Sequence, residues 1–334
     1  MNGSTMHLPI AELHLHLEGT LEPEFILEAA ARNGVELPWT SLADLRSRYD
    51  FTDLQSFLDL LYTNLEVLQT SRDFEQMTRD YLRRASAGGV RHAEVSFDAQ
   101  AHLLRGIPLE VVLTGIHAAL DAGESEFGIT SKLIVSFWRD RPASEAVEIL
   151  QGLIDSDARI DGIGLDSAEV GYPPALFVEL YDLARSHGLH VVAHAGEEGP
   201  AQNVADSLDL LKVERIDHGN NCLDDERLVA RMVAERVPMT VCPLSNVRLR
   251  TIDTLARHPL PVMLEKGLFI SINSDDPAYF GGYADANVAA VTEQFALDDA
   301  TLELLARNSV DASFLDAAGK ARLHGEIDDW VRSR

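Results

Sequence analysis

Short apolar segments recur along this chain of 334 residues, and longer amphipathic stretches separate them. Such an alternation is typical of right-handed βαβ units, which build a parallel sheet. The segments predicted to be strands are Ile10–His16, Arg91–Phe97, Lys132–Trp138, Ile160–Asp166, His190–His194, Arg215–His218, Met239–Cys242 and Leu268–Asn273. Because so many units follow one another in one chain, the pattern predicts a closed (β/α)8 TIM-type barrel rather than an open, doubly wound sheet.

The stretches between the strands carry helix start and stop signals. Pro142 is predicted to begin one helix, and the pair 173–174 (Pro-Pro) to begin another that ends at Gly188. The connection from residue 17 to residue 89 is too long for one helix. It is predicted to hold three, some of them over the C-terminal mouth of the barrel, around Pro23–Asn33, Leu54–Leu68 and Asp73–Ala87. Since no repeat or Pro/Ser-rich linker marks a boundary, we expect residues 1–334 to form a single domain.

The charge balance narrows the class of partner. Asp and Glu number 54 and Lys and Arg 28, a net charge of −26, which disfavours binding to nucleic acid or to an anionic membrane surface. The chain has no apolar stretch of about 18 residues and no leader-like N-terminus. Its two cysteines, Cys222 and Cys242, cannot build a disulfide framework. We therefore expect a soluble, acidic, cytoplasmic globular protein; nothing in the sequence indicates an oligomeric state.

Nearly every predicted strand ends in a polar or ionisable residue. In a barrel of this type, the C-terminal strand ends and the loops that follow them form the active-site face. Any one such residue is also explained by a strand that exits into a polar loop, but several at once predict a site. The residues are His16, Arg139, Asp166, His194, His218 and Asp275.

Three histidines and one aspartate among these strand ends form a candidate metal site. His14 and His16 are two residues apart on one strand, so their side chains project to the same face. His194 and Asp275 end two further strands; alone, the first could be a core histidine and the second a helix cap before Pro277. Three imidazoles and one carboxylate leave a coordination position for water, as in catalytic zinc sites.

The residues around this site suggest one metal ion and an acid–base pair. A binuclear barrel would usually need a bridging carboxylate or lysine on a middle strand, and none of the chain's few lysines lies at the end of the fourth strand. Glu197, three residues after His194, is a natural proton shuttle, whereas Glu198 is better explained as a solvated acid. His218 can be a fourth nitrogen ligand, a base or a core histidine, and Asp276 can accept a hydrogen bond from a substrate.

Read together, these segments resemble the adenosine deaminase family of zinc-dependent purine deaminases. The resemblance runs nearly end to end, through AELHLHLEGTLEPE, GLDSAEVGYPP, VVAHAGEEGP, KVERIDHG, TVCPLSNVRL and NSDDPAYFGGY. It implies a (β/α)8 barrel, one zinc ion and hydrolytic loss of ammonia from a 6-aminopurine. Carried over by position, it implies that the zinc ligands are His14, His16, His194 and Asp275, that Glu197 is the proton donor, that His218 lies over the zinc-bound water and that Asp276 binds substrate.

Within the family, the resemblance leans toward the adenine deaminase branch, which acts on the free base. Glu18 stands where nucleoside deaminases have a shorter aspartate, and Glu169 stands near a position where they have a glycine turn. We expect both carboxylates, with Ser167, to bind substrate on the side that a ribose would occupy. The chain departs from the adenine deaminase pattern at Trp138 and Asp140, where Leu and His are more usual. A 6-substituted adenine therefore remains a candidate substrate.

The prediction is therefore a zinc-dependent deaminase that converts adenine to hypoxanthine and ammonia in purine salvage. Glu197 would protonate ring N1, hydroxide would add at C6, and ammonia would leave. The alternatives are deamination of adenosine, deamination of a 6-substituted adenine such as a cytokinin-like base, and an amidohydrolase acting on another ring. A non-enzymatic alternative is a catalytically dead zinc-binding scaffold, in which metal removal alters stability alone.

Overall fold

Eight parallel strands, each hydrogen-bonded to the next in chain order, form the barrel wall in the computed structural model, which describes residues 7–334. The predicted (β/α)8 barrel is confirmed, with strand ends shifted by a few residues at most. The strands are β1 (Ile10–His16), β2 (Val90–Asp98), β3 (Thr130–Trp138), β4 (Gly162–Asp166), β5 (His190–Ala195), β6 (Arg215–His218), β7 (Pro238–Val241) and β8 (Phe269–Ile272).

The chain that leaves β8 returns to β1 and closes the barrel at its C-terminal mouth. The Asn273 side chain accepts a hydrogen bond from the Leu13 amide at 2.7 Å. The Asp275 amide then donates to the His14 carbonyl at 3.1 Å, and its carbonyl accepts from the His16 amide at 3.0 Å. The closing contact therefore places Asp275 beside both histidines of β1.

Helices surround the wall, and the five that the sequence predicts are among them. The α-helices of the described residues are α1 (Pro23–Asn33), α2 (Leu42–Ser47), α3 (Leu54–Leu65), α4 (Ser71–Ala87), α5 (Ala99–Leu103), α6 (Leu109–Phe127), α7 (Ala143–Asp155), α8 (Val178–Ser186), α9 (Ala201–Asp206), α10 (Glu226–Glu235), α11 (Pro243–Arg248), α12 (Leu260–Glu265), α13 (Pro277–Phe280), α14 (Ala284–Phe295), α15 (Asp299–Ala312) and α16 (Ala317–Arg332). Within residues 7–334, none of them is both long and apolar enough to span a membrane.

The long connection between β1 and β2 holds one more helix than predicted. Helices α1, α3 and α4 match the prediction, and the additional short α2 begins at Ser41, whose hydroxyl accepts a hydrogen bond from the Asp44 amide. Asp53 and Ser56 form a reciprocal capping box that starts α3. The apolar face of α3 lies over the barrel mouth, where it lines a cavity through residues such as Phe57 and Leu61.

A buried ion pair links strands β2 and β6 of the barrel wall. Arg215 on β6 donates to the Glu94 carboxylate of β2 at 2.6 Å and to the Leu13 carbonyl of β1 at 2.9 Å. Both charged side chains are fully buried. Burial raises the pKa of Glu94, but the Arg215 guanidinium outweighs it and holds that pKa at about 2. Glu94 thus remains ionised, and Arg215 stabilises its buried charge.

We expect Arg215→Met to lower the free energy of unfolding by about 3–5 kcal/mol, because it leaves the Glu94 charge buried without its partner. Urea unfolding followed by circular dichroism measures the change. The matched control is Arg159→Met, since Arg159 pairs with Asp121 at 2.7 Å on the surface, where both side chains are more than half exposed. That control should cost at most about 1 kcal/mol. Equal losses in the free energy of unfolding for the two variants would show that the buried pair stabilises the protein no more than the surface pair does.

Candidate active site

Four ligand atoms converge at the C-terminal mouth, three from imidazoles and one from a carboxylate. The Nε2 atom of His194 lies 3.1 Å from Nε2 of His14 and 3.4 Å from Nε2 of His16. The Oδ1 atom of Asp275 lies 3.3 Å from Nε2 of His14 and 3.5 Å from Nε2 of His16. The structure therefore brings together the four residues predicted to be metal ligands.

These separations, which join neighbouring ligands, fit a single central metal ion. Adjacent ligand atoms at about 2.0–2.1 Å from a zinc lie roughly 2.9–3.4 Å apart, depending on the coordination number. Imidazole nitrogens that face each other with their lone pairs repel unless a proton or a cation lies between them. A nitrogen-rich set with one carboxylate oxygen is the donor set that zinc prefers. The residues present therefore fit one zinc ion.

Neighbouring side chains orient two of the ligands for this purpose. The Thr240 hydroxyl donates to Oδ1 of Asp217 at 2.7 Å, so it accepts from Nδ1–H of His14, 3.0 Å away. That tautomer leaves the lone pair of His14 Nε2 free for a metal. The Ser245 hydroxyl donates to Oδ2 of Asp275 at 2.6 Å, which leaves Oδ1 for the same purpose.

Glu197 and His218 lie side by side next to this cluster, and Asn246 contacts both. Oε2 of Glu197 is 3.4 Å from Nε2 of His218. Oδ1 of Asn246 accepts from Asn220 and from His258, so its NH2 group faces Nδ1 of His218 and Oε1 of Glu197, each at 3.4 Å. Nδ1 of His218 is therefore an acceptor, and Nε2 carries the proton. A protonated Nε2 is neither a metal ligand nor a base, so this tautomer favours a fourth role, that of a hydrogen-bond donor next to the cluster.

The protonation of this pair follows from its surroundings. Burial, and then the charge of Asp275, raise the pKa of Glu197 well above its ordinary range. Burial, and then the neighbouring His14, lower the pKa of His218 to about 3. At neutral pH, Glu197 can therefore carry a proton while His218 stays neutral, which is what a proton donor and its hydrogen-bonding neighbour require.

Asp276 follows the ligand Asp275 and turns its carboxyl group into the cavity next to the metal cluster. A Cβ atom on Gly19 would lie only 2.1 Å from Oδ1 of Asp276, so the absence of a side chain at Gly19 gives the carboxyl group its place. Burial, and then the charge of Asp275, raise the pKa of Asp276 well above its ordinary range. Asp276 can thus donate as well as accept a hydrogen bond.

Glu18 and Ser167, two predicted substrate contacts, line the same cavity. Oε1 of Glu18 accepts hydrogen bonds inside the protein, but its Oε2 is buried and has no partner among the described residues. The Ser167 hydroxyl also lacks a hydrogen-bond partner there, and its backbone φ is +67°. Unpaired buried polar atoms in a cavity are candidates for contacting a ligand.

Glu169 does not line this cavity, so the structure contradicts its predicted place on the substrate side. Its carboxylate turns toward the loop after β5 and accepts from four successive amides, those of residues 196–199, at 2.8–3.1 Å. The Asn203 side chain donates to it as well, at 2.9 Å. Both oxygens are used in holding the loop that carries Glu197. Arg139, another strand-end residue, is also directed away and donates to the carbonyls of His194 and Tyr172.

Sequence reasoning missed part of the cavity wall. Trp138, noted only as a departure from the family pattern, donates its indole N–H to Asp98 at 2.8 Å and packs on Tyr62 with ring centroids 4.8 Å apart. Asp98 and Asp166 are the last residues of β2 and β4, and both lie within 3.8 Å of Nδ1 of His16. Asp166 was among the predicted strand-end residues, whereas Asp98 was not. Asp98 is a polar residue at a strand end, but it was missed because the predicted strand stopped one residue before it.

The sequence profile of the adenosine deaminase family matches residues 9–330. The chain belongs to the adenosine deaminase family. It is 54% identical to the adenine deaminase of Streptomyces coelicolor over 97% of this chain and 96% of that one. The solved adenine deaminase of Arthrobacter aurescens superposes with a TM-score of 0.96 at 54% identity, covering 97% of this chain and 99% of that chain. An amidohydrolase from Burkholderia ambifaria with bound zinc gives a TM-score of 0.89 at 31% identity, covering 98% and 92%.

We expect Glu169→Gln to lower kcat by at least about tenfold, because an amide NH2 would face backbone amides that now donate to a carboxylate. Metal content and the far-ultraviolet circular dichroism spectrum should stay unchanged. The control is Glu179→Gln on α8, an exposed acid away from the cavity. A Glu169→Gln variant with full kcat would show that the hydrogen bonds from amides 196–199 to Glu169 are not needed to place the loop.

Proposed function

We propose that this chain is a zinc-dependent adenine deaminase that converts adenine and water to hypoxanthine and ammonia. The observation that carries the proposal is the juxtaposition of the four-ligand cluster with Glu197, a largely buried carboxyl whose pKa is raised, at one cavity. Similarity adds the substrate: relatives 45–54% identical over nearly the whole chain are named adenine deaminase. One zinc would be held by His14, His16, His194 and Asp275.

Zinc bound there would supply a hydroxide nucleophile at neutral pH. Glu197 donates its proton to ring N1 of the purine. Protonation reduces the aromatic character of the N1–C6 bond and makes C6 electrophilic. His218 uses its Nε2–H to hold the oxygen that adds at C6. Glu197, now a carboxylate, takes the proton from the oxygen added at C6 and delivers it to the exocyclic nitrogen. The C6–N bond then breaks, C6=O forms, and ammonia leaves.

The remaining polar groups of the cavity orient the ring. Asp276, as a protonated carboxyl, donates to N7, and the Ser167 hydroxyl contacts the edge of the base farther from the metal. Glu18 lies next to Gly19, which packs directly on Asp276. N7 and N9 belong to the same five-membered ring, so a base whose N7 meets Asp276 presents N9 toward Glu18. The unpartnered Oε2 of Glu18 then accepts the N9–H of a free base.

This contact discriminates between a base and a nucleoside. A ribosyl group on N9 removes the proton that Glu18 would accept and adds bulk where its carboxylate lies, which leaves a buried oxygen without a partner. Adenosine is therefore the disfavoured alternative. The Trp138 indole, held by Asp98 and packed on Tyr62, forms a fixed wall of the cavity.

Two further parts of the proposal concern the setting of the enzyme. We take residues 1–334 as one deaminase domain, supported by hydrogen bonds that tie the C-terminal α15 to the barrel wall: Ser309 accepts from the Ala11 amide and Asn308 donates to the Ile270 carbonyl. We also place the protein in the cytoplasm, in keeping with two cysteines that are free and buried.

We expect Glu197→Gln to retain about one zinc per chain while kcat for adenine falls by about 10²–10⁴-fold, the range of general acid–base catalysis. The amide keeps the size of the side chain but cannot deliver the proton. Zinc is measured by elemental analysis on the same preparation as the steady-state assay. A variant with a tenth of the wild-type kcat would place the proton donor elsewhere.

Glu198→Gln is the control for this experiment, because Glu198 is the neighbouring acid and does not line the cavity next to the cluster. Its kcat should stay within about twofold of wild type. Two zinc ions per chain, both needed for turnover, would contradict the single-metal proposal. A wild-type protein with full zinc and no turnover of any purine would favour the scaffold alternative instead.

We expect wild-type kcat/KM for adenine to exceed that for adenosine by at least roughly 100-fold, on the scale of about 2.7 kcal/mol. Glu18→Asp should narrow that ratio by about tenfold or more, since the shorter side chain withdraws the carboxylate from N9. Asp140→Asn, an exposed neighbour of the cavity wall, is the control and should leave the ratio unchanged. Equal turnover of both substrates by the wild type would reject the free-base assignment and leave the deaminase class intact.

A further inference from the structure

A buried hydrogen-bonded chain lies behind Glu18, on the side away from the cavity. Nε2 of His102 is 2.7 Å from Oε1 of Glu18, and the Asp98 amide donates to the same oxygen at 3.1 Å. Arg105 donates through Nη2 to Nδ1 of His102 at 2.8 Å. His102 is completely buried. Arg105, His102 and Glu18 thus form a continuous relay that ends at the cavity; we call it the Glu18 relay.

The chemistry of arginine sets the direction of every hydrogen bond in the relay. A guanidinium group only donates, so Nδ1 of His102 must accept and Nε2 must carry the proton. Nε2–H then donates to Oε1 of Glu18. Since Oε1 receives two N–H donors, Oε2 is the carboxylate atom left to meet a ligand.

The rest of Arg105 is tied down as well. Its Nε donates to the Ala101 carbonyl and its Nη1 to the Leu68 carbonyl, each at 3.2 Å. The Phe74 ring packs edge-on against the His102 ring, with centroids 4.9 Å apart. The imidazole is therefore fixed in both tautomer and orientation before any ligand arrives.

We propose that His102 and Arg105 are positioning residues that set the preference for a free purine base over its 9-substituted nucleoside. They act through Glu18, by holding Oε1 so that Oε2 meets the N9–H of the base. This inference rests on the proposed function and adds to it the residues that enforce specificity. Neither residue lines the cavity, so their effect on substrate choice is indirect.

The test uses paired substitutions in the full-length zinc enzyme. His102→Leu removes the donor to Glu18 and should lower kcat/KM for adenine by about 30-fold, mainly through KM, while kcat/KM for adenosine changes by less than about threefold. His102→Gln places an amide NH2 near the position of Nε2–H and should recover kcat/KM for adenine to within about fivefold of wild type. Arg105→Gln keeps the imidazole but frees its tautomer and should give an intermediate loss.

A merely structural role for His102 predicts a different pattern. It would lower activity on both substrates alike, and the losses from His102→Leu and Glu18→Gln would add. The relay predicts that His102→Leu has less than about a twofold further effect in the Glu18→Gln background, because the interaction it supports is already gone. Additive losses, or a uniform loss of kcat on both substrates, would overturn the proposal.

Two further measurements keep the outcome decisive. Should His102→Leu not fold, as shown by its thermal melt, Arg105→Gln, at a half-buried position, carries the same test in the Glu18→Gln cycle. His117→Leu is the matched histidine control, because His117 donates to the Arg159 carbonyl on the outer face of the barrel. A wild type that does not prefer adenine over adenosine refutes the proposed free-base function, whereas a preference untouched by both relay variants refutes this inference alone.

Discussion

The return of the chain from β8 onto β1 is the contact on which the site depends. The backbone of Asp275 bonds on both sides to β1, and its side chain lies between the two histidines of that strand. Asp275 adopts φ +66° there, a conformation that costs a non-glycine residue energy and that the two backbone hydrogen bonds offset. Barrel closure and assembly of the predicted metal ligands are therefore the same event, so a chain that failed to close would also lack the site.

The strand-end residues could be predicted because two general rules are enough to place them. A strand alternates its side chains, and a parallel barrel gathers all its C-terminal strand ends at one mouth. His14 and His16 follow from the first rule, and His194 and Asp275 from the second. Glu169 could not be placed in this way, since it lies in a loop after β4, and only the path of that loop decides which way a side chain turns. The short α2 was missed because its six residues carry too little apolar periodicity.

The residues that act through others were the least visible in the sequence. Thr240, Asn246 and His102 are ordinary polar residues on a strand and on two short helices, and no spacing between them and their targets identifies them. Their roles arise from tautomers: each hydrogen bond decides which nitrogen of a histidine keeps its lone pair. The TVCPLSNVRL segment contains Thr240 and Asn246, so the resemblance pointed at the correct stretch without indicating what it does.

In the proposed enzyme, largely different residues hold the predicted metal ligands and Glu18. The partners that orient the metal ligands come from the second half of the barrel, around β6 and β7, whereas the partners that hold Glu18 come from α5 and the turn after it, just beyond β2. Both sets meet at β1, which carries His14 and His16 and leads directly into Glu18. Asp98 is a second point at which the two sets meet, since its amide donates to Glu18 while its carboxylate lies 3.8 Å from Nδ1 of His16. His102 and Arg105 have no such contact with a predicted metal ligand, so the effect on substrate choice that we assign to them leaves the ligand set in place.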